Sequence, residues 1–143
     1  MPDILQDFPI RAPIQRVFDA VSSPHGLNQW WTETCDGECT VGASYLLGFG
    51  PEYQWRASVT RCEKNTTFEL TMAECDADWQ TTRVAFTLSP TRDGTHVRFE
   101  HIGWPEANAH YRISTHCWAL YLRLLRRYLE YGETVQYQGR LDA

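Results

Sequence analysis

From Pro105 to Tyr131 nothing in the sequence breaks a helix, and Gly132 stands where a left-handed cap would end it. At about 1.5 Å per residue such a helix is nearly 40 Å long. Side chains placed every 100° or so put Cys117, Leu120, Tyr121, Leu124, Leu125 and Tyr128 on one arc, widened by Trp118, Leu122 and Leu129. Arg112, His116, Arg123, Arg126, Arg127 and Glu130 fall on the other side. Carried backward, the inner arc takes in Ser114 and His110, so the buried line begins polar and ends apolar. A helix with so wide an apolar face needs a partner surface of comparable length.

The residues before it supply one. From about residue 44 the apolar period is two: Tyr45, Leu47 and Phe49; then Trp55, Ala57 and Val59; then Phe68, Leu70 and Met72. Val84, Phe86 and Leu88 follow, and after the Arg92-Asp93-Gly94-Thr95 turn come Val97, Phe99 and His101. About five consecutive antiparallel strands are predicted, each apolar on one face. Ahead of them, residues 3 to 11 read as an edge strand, because Pro9 cannot donate to a central ladder. Pro13 opens a helix carrying Ile14, Val17, Phe18 and Val21 on one stripe. Ser23-Pro24 begins a second, with Leu27, Trp30 and Trp31. The predicted architecture is α+β, a curved antiparallel sheet wrapped around the C-terminal helix. The space between them is either filled by six Trp, seven Tyr and six Phe or left as a pocket.

Charge and chain chemistry narrow the function classes. Thirteen Lys and Arg against 18 Asp and Glu give a net charge of −5, which repels nucleic-acid phosphates and anionic lipid. No apolar run approaches the ~20 residues that span a bilayer, and the N-terminus lacks the basic-then-apolar pattern of a secretory signal. Neither a nucleic acid nor a membrane is expected as partner, and the expected address is the cytoplasm. The five Cys (35, 39, 62, 75 and 117) are an odd number in a chain able to fold without staples, so all are read as reduced thiols. Cys35 and Cys39 have zinc-like spacing but lack a second ligand pair, so an ordinary loop is expected and no metal or other cofactor.

The run from Ile10 to Val21, then Pro24 through Trp30-Trp31, resembles the opening of the START-like (SRPBCC) superfamily. More narrowly it resembles the Aha-type branch, named for activators of heat-shock chaperone ATPase. Asp93-Gly94-Thr95 with the strand to His101 is similar to that branch's last strand. His116-Cys117-Trp118 leading to Leu122 and Leu125 is similar to its helix signature. The resemblance spans about residues 4 to 131. It implies a helix-grip fold, like the birch-pollen allergen, over one START-like domain of residues 1–143, in which residues 133–143 read from the sequence as an exposed tail. It also implies a cavity used by relatives for apolar or aromatic molecules, for polyketide cyclisation, or replaced by chaperone-ATPase stimulation. Cys117 stands where the branch commonly has Gly, which would narrow that cavity.

By strand alternation His101 points inward, and by helical phase His110, Ser114, Cys117 and Tyr121 face the sheet. A few polar groups converging at one end of an apolar space are the usual anatomy of a small-molecule site. The expected function is therefore enclosure of an apolar or aromatic ligand. Trp55, Met72, Phe86, Phe99, Tyr121 and Leu124 would form the walls, with Cys117 beside them, and His101, His110 and Ser114 would supply orienting hydrogen bonds. A second reading is a protein-interaction module with a chaperone or homodimer partner, binding through Trp30-Trp31 or the arginine stripe of Arg123, Arg126 and Arg127 on the outer helix face. A third is a cyclase or hydrolase built on His101 with Cys117 or Ser114. No nucleophile elbow or orienting carboxylate accompanies that pair.

Overall fold

The computed structural model describes residues 1–143. Seven antiparallel strands form one sheet: β1 (Ile4–Ile10), β2 (Thr34–Asp36), β3 (Ser44–Gly48), β4 (Gln54–Glu63), β5 (Thr67–Glu74), β6 (Arg83–Thr91) and β7 (Gly94–Ile102). Their order is β1-β7-β6-β5-β4-β3-β2, so each strand from β2 to β7 pairs with its sequence neighbour and only β1 crosses to the far edge. Three helices complete the fold: α1 (Ile14–Ser22), α2 (Pro24–Leu27) and α3 (Ala109–Tyr131). The sheet curls around α3, as the patterning predicts and as the helix-grip fold implied by the resemblance requires. Two register shifts in β4, at Arg56/Ala57 and Val59/Arg61, bend it in the way bulges bend strands.

The concave face is built in rows. Phe68 lies opposite Phe86 and Phe86 opposite Phe99, three buried rings in line across β5, β6 and β7. At one end α1 and α2 close over this face through two buried hydrogen bonds. Trp30 Nε1 donates to the Ala20 carbonyl at 2.9 Å, and the Tyr45 hydroxyl donates to the Ser22 carbonyl at 2.6 Å. Trp30 and Trp31 follow α2 in a turn and are both buried, so they cannot be the exposed docking pair of the interaction reading.

Helix α3 differs from the sequence expectation in its start and its rotation. It begins at Ala109 rather than near Pro105, because Asn108 caps it by accepting the Tyr111 N–H at 3.0 Å. Gly132, at φ +70°, ends it as expected. The most deeply buried line is Trp118, Leu122, Leu125 and Leu129, with Ser114 and Leu124 beside it. Cys117, Leu120, Tyr121 and Tyr128 are only half-buried. The helix is thus turned toward the side that seats the large Trp118 ring in the sheet.

Two further expectations fail. The segment after Gly132 is not a free extension: Tyr137–Asp142 forms a 3-10 helix and buries Arg140. That guanidinium donates to the carbonyls of Thr32 at 2.9 Å, Asn28 at 2.7 Å and Val135 at 2.9 Å, filling the open end of the α2 turn. Nor are all five cysteines free. Cys39 and Cys62 form a disulfide, their Cα atoms 5.9 Å apart, tying the loop after β2 to the end of β4. Cys35, Cys75 and Cys117 remain thiols. The long separation of Cys39 and Cys62 carried no local signal; only the β3–β4 hairpin brings them together. The short strand β2, which the sequence presented as loop, adds the outer edge.

Closing a loop across a sequence separation of 23 should restrict the unfolded chain by about 3 kcal/mol. Cys62→Ser is expected to lower urea-unfolding stability by roughly that amount, and dithiothreitol should bring the wild-type protein to the same value while leaving the variant unchanged.

Candidate functional site

The polar start of α3 meets the sheet where β7 ends. Gly103, at φ +90°, turns the chain out of β7 so that Trp104 enters the interior instead of following strand alternation outward. Opposite it, the loop between β5 and β6 carries the 3-10 turn Ala77–Trp79 and sends Trp79 inward. The result is an aromatic nest. Trp79 lies 6.0 Å from Trp118 and 6.5 Å from His110 between ring centroids, nearly parallel to both at 23° and 28°. Trp55, His101 and Trp104 surround it at steeper angles, at 5.1, 4.4 and 6.0 Å. Trp31 reaches Trp118 from the other side at 5.1 Å.

His101 is the polar centre of this nest and is fully buried. Trp118 Nε1 donates to its Nδ1 at 3.0 Å, and an indole nitrogen only donates. Nδ1 therefore carries no proton, and Nε2–H donates to Thr82 Oγ1 at 2.9 Å. Thr82 passes the chain on, donating to the Trp79 carbonyl at 2.6 Å. Burial, with a smaller contribution from His110, holds His101 down at about 3, so the ring is neutral at ordinary pH. Both nitrogens are committed within the protein, which corrects the expectation that His101 would orient a ligand. A His101 base beside Cys117 or Ser114 is likewise not what the geometry builds: neither is its hydrogen-bond partner, and burial pushes the Cys117 thiol up, away from the thiolate a nucleophile needs.

The remaining predicted residues divide into three groups and one outlier. Ser114, Cys117 and Tyr121 line one slot with Trp31, Trp79 and Trp118, with a volume of about 40 Å³, room for one or two waters. Burial raises the Tyr121 phenol to about 12, so it stays a protonated donor there. His110 and Trp55 flank Trp79 in the same nest, but His110 Nδ1 is engaged by Asp78 Oδ2 at 3.2 Å. Met72, Phe86 and Phe99 are buried core, Phe99 packing on Trp118 at 4.5 Å and on Phe86 at 5.3 Å. Leu124 lies apart, further along α3, in a cleft of about 240 Å³ with Gln29, Arg123, Arg127, Glu133 and Val135. There Arg127 is held by both carboxylate oxygens of Glu133, at 2.6 and 2.8 Å, which removes one member of the arginine stripe from service as a free cation.

The hollow is thus largely filled, and the residues that fill it, Trp79, Trp104 and Thr82, were not singled out from sequence as site residues. Trp79 had a readable signal, a large aromatic ring alone in the polar run Asp76-Ala77-Asp78-Trp79-Gln80-Thr81. Two buried donors in the nest find no acceptor: Trp79 Nε1 and Trp104 Nε1. Each unpaired buried N–H carries a desolvation cost of about 1–3 kcal/mol.

Protonating His101 requires giving up its Trp118 bond, and the unfolded chain binds that proton near pH 6.5. The stabilisation is therefore complete above about 6.5 and declines as pH falls toward 3, by up to about 1.4 kcal/mol per unit. His101→Gln, whose amide can accept from Trp118 and donate to Thr82 without titrating, should flatten the part of the stability–pH curve between pH 6.5 and 5 relative to wild type, as read by urea unfolding.

Structural comparison places the fold in a wider group. The solution structure of the Aha1 dimer from Colwellia psychrerythraea is similar at a TM-score of 0.84 and 27% identity, covering 93% of this chain and 99% of that one. A Mesorhizobium loti protein matches at 0.80 and 24%, covering 92% and 99%. A Staphylococcus saprophyticus protein matches at 0.79 and 20%, covering 94% and 96%; these last two likenesses establish the fold. No curated protein matches the sequence. Residues 11–130, which run from the end of β1 to the last turn of α3, match the family described as Activator of Hsp90 ATPase homolog 1-like protein, and the chain belongs to that family.

Proposed function

We propose that this protein binds a small apolar or aromatic molecule between the sheet and the N-terminal half of α3. The observation that carries this reading is the incomplete closure of that junction. A slot walled by Trp31, Trp79, Trp118, Cys117, Ser114 and Tyr121 remains, and Trp79 in that wall and Trp104 packed beside it each bury an indole N–H without an acceptor. Cores built only for stability pair such donors or replace them with apolar groups. Ser114, Cys117 and Tyr121 border the slot on α3, while Trp118, fixed by His101, gives it a rigid back wall. Membership of a family with a helix-grip fold fits this use of the hollow, and no helix of the chain is long and apolar enough to cross a membrane.

A second reading rests on the likeness to the Aha1 dimer. A chain whose hollow is this well filled is also suited to act through its surface, on a chaperone or on a second copy of itself. With Trp30 and Trp31 buried, that surface would be the exposed face of α3 around Arg112, His116 and Arg123.

Native mass spectrometry of protein purified from its host separates the two. A co-purifying small molecule supports the first reading, and Tyr121→Trp, which thickens the slot wall, should cut its occupancy at least tenfold while leaving thermal stability near wild type. An empty monomer that stimulates a chaperone ATPase supports the second; retention of the guest by Tyr121→Trp at full occupancy would place the site elsewhere.

A further inference from the structure

Trp79 differs from the other residues of its loop. Asp76, Ala77, Gln80 and Thr81 are exposed and Asp78 is half-buried, yet the indole between them is 7% exposed. The loop is anchored through its backbone and ends. Thr81 N–H donates to the Met72 carbonyl at 3.0 Å and Met72 N–H to the Thr82 carbonyl at 2.9 Å, while Asp78 is paired with His110. Thr81 is held at φ +64°, a strained conformation for a β-branched residue. The Trp79 side chain itself makes no hydrogen bond. It can therefore rotate out of the nest without breaking one, and it stays only by ring packing.

The space it occupies has a definite shape. Trp118 and His110 both lie nearly parallel to it, at 6.0 and 6.5 Å between ring centroids, so the place it fills is flat. The adjoining slot of about 40 Å³ extends this place toward Ser114 and Tyr121. Withdrawal of the indole would merge the two into a void comparable to the ~150 Å³ apolar cavities that accept a benzene ring. Trp104, 6.0 Å from Trp79 between ring centroids, would border it and carries a buried Nε1 donor without acceptor, whereas both His101 nitrogens are already used. The empty site would thus offer flatness and a hydrogen-bond donor.

We infer that Trp79 is an internal occupant of the binding site. A flat, bicyclic-sized aromatic molecule bearing a hydrogen-bond acceptor takes its place beside Trp118 and His110, with the loop 76–81 as the gate. This rests on the ligand-binding reading and adds the ligand's class and its entry. The acceptor pairs with Trp104 Nε1, relieving the unpaired donor, and the displaced indole moves to the surface on the Asp78 side.

The test uses the full-length chain and two probes of one shape, indan-1-one with a carbonyl acceptor and indane without. Trp79→Ala should bind indan-1-one at least tenfold more tightly than wild type does in isothermal titration, and at least tenfold more tightly than it binds indane. Adding Trp104→Phe should abolish the preference between probes, since an acceptor meeting an otherwise unpaired buried donor is worth about that factor. A folded Trp79→Ala that takes neither probe, or takes both equally, overturns the inference. If Trp79→Ala does not fold, Asp78→Asn, which loosens the gate and keeps every ring, should bind indan-1-one at least threefold more tightly than wild type; unchanged affinity overturns it. An aliphatic guest found by native mass spectrometry would sink this ligand class and leave the ligand-binding reading intact. Tight indan-1-one binding by Trp79→Ala with no guest in host-purified protein would do the reverse.

Discussion

A single run of hydrogen bonds, from Trp118 through His101 and Thr82 to the Trp79 carbonyl, joins the three parts of this protein that sequence leaves independent. Trp118 belongs to α3, His101 to β7, and Thr82 and Trp79 to the connection between β5 and β6. Apolar packing alone is nondirectional and would permit α3 to roll in the hollow. The indole N–H of Trp118 has one acceptor within reach, and leaving it unpaired in the interior is costly, so the helix has one rotation. That rotation puts Trp118, Leu122, Leu125 and Leu129 against the sheet and leaves Cys117 and Tyr121 at its margin.

The same bonds decide what chemistry the interior supports. A histidine with both nitrogens satisfied in a dry aromatic setting is a neutral strut, and it has neither a proton to give nor a lone pair to lend. The groups that retain freedom lie just outside it: Ser114, Cys117 and Tyr121 on the helix, and the two unpaired indole N–H donors. These last are expensive in a folded protein, and their persistence at one junction distinguishes that junction from the well-satisfied core around Phe68, Phe86 and Phe99.

Much of the fold could be read directly from patterning. The period-two runs from Tyr45 to His101 became β3 to β7, the turn at Arg92-Asp93 joined β6 to β7, Pro9 lies in the edge strand β1, and Gly132 ends α3. Legibility stopped where structure depends on distant partners. Arg140 looks like a tail residue until the carbonyls of Asn28 and Thr32 are seen to lack other donors. The approach of Cys39 to Cys62 depends on the β3–β4 hairpin and the course of the loop after β2, which neither segment encodes alone. Of the candidate residues, His101, His110, Ser114, Cys117 and Tyr121 lie along the first half of α3 and the end of β7, positions that periodicity alone assigns, whereas the inward turn of Trp79 and Trp104 is set by a loop and a glycine turn.

The sequence by itself determined the elements, their order and the sheet's embrace of the last helix, because hydrophobic periodicity is local and each run carries its own. Only the tertiary structure decided whether the embrace is hollow. The volume left between two curved surfaces is a small difference between large side-chain volumes, and it depends on which rings turn inward. Here Trp79 and Trp104 do, reaching the hollow from connections whose sequence is mostly polar. Their packing turns a prospective cavity into a nearly closed slot and leaves two indole donors unmatched, on Trp79 in its wall and on Trp104 behind it.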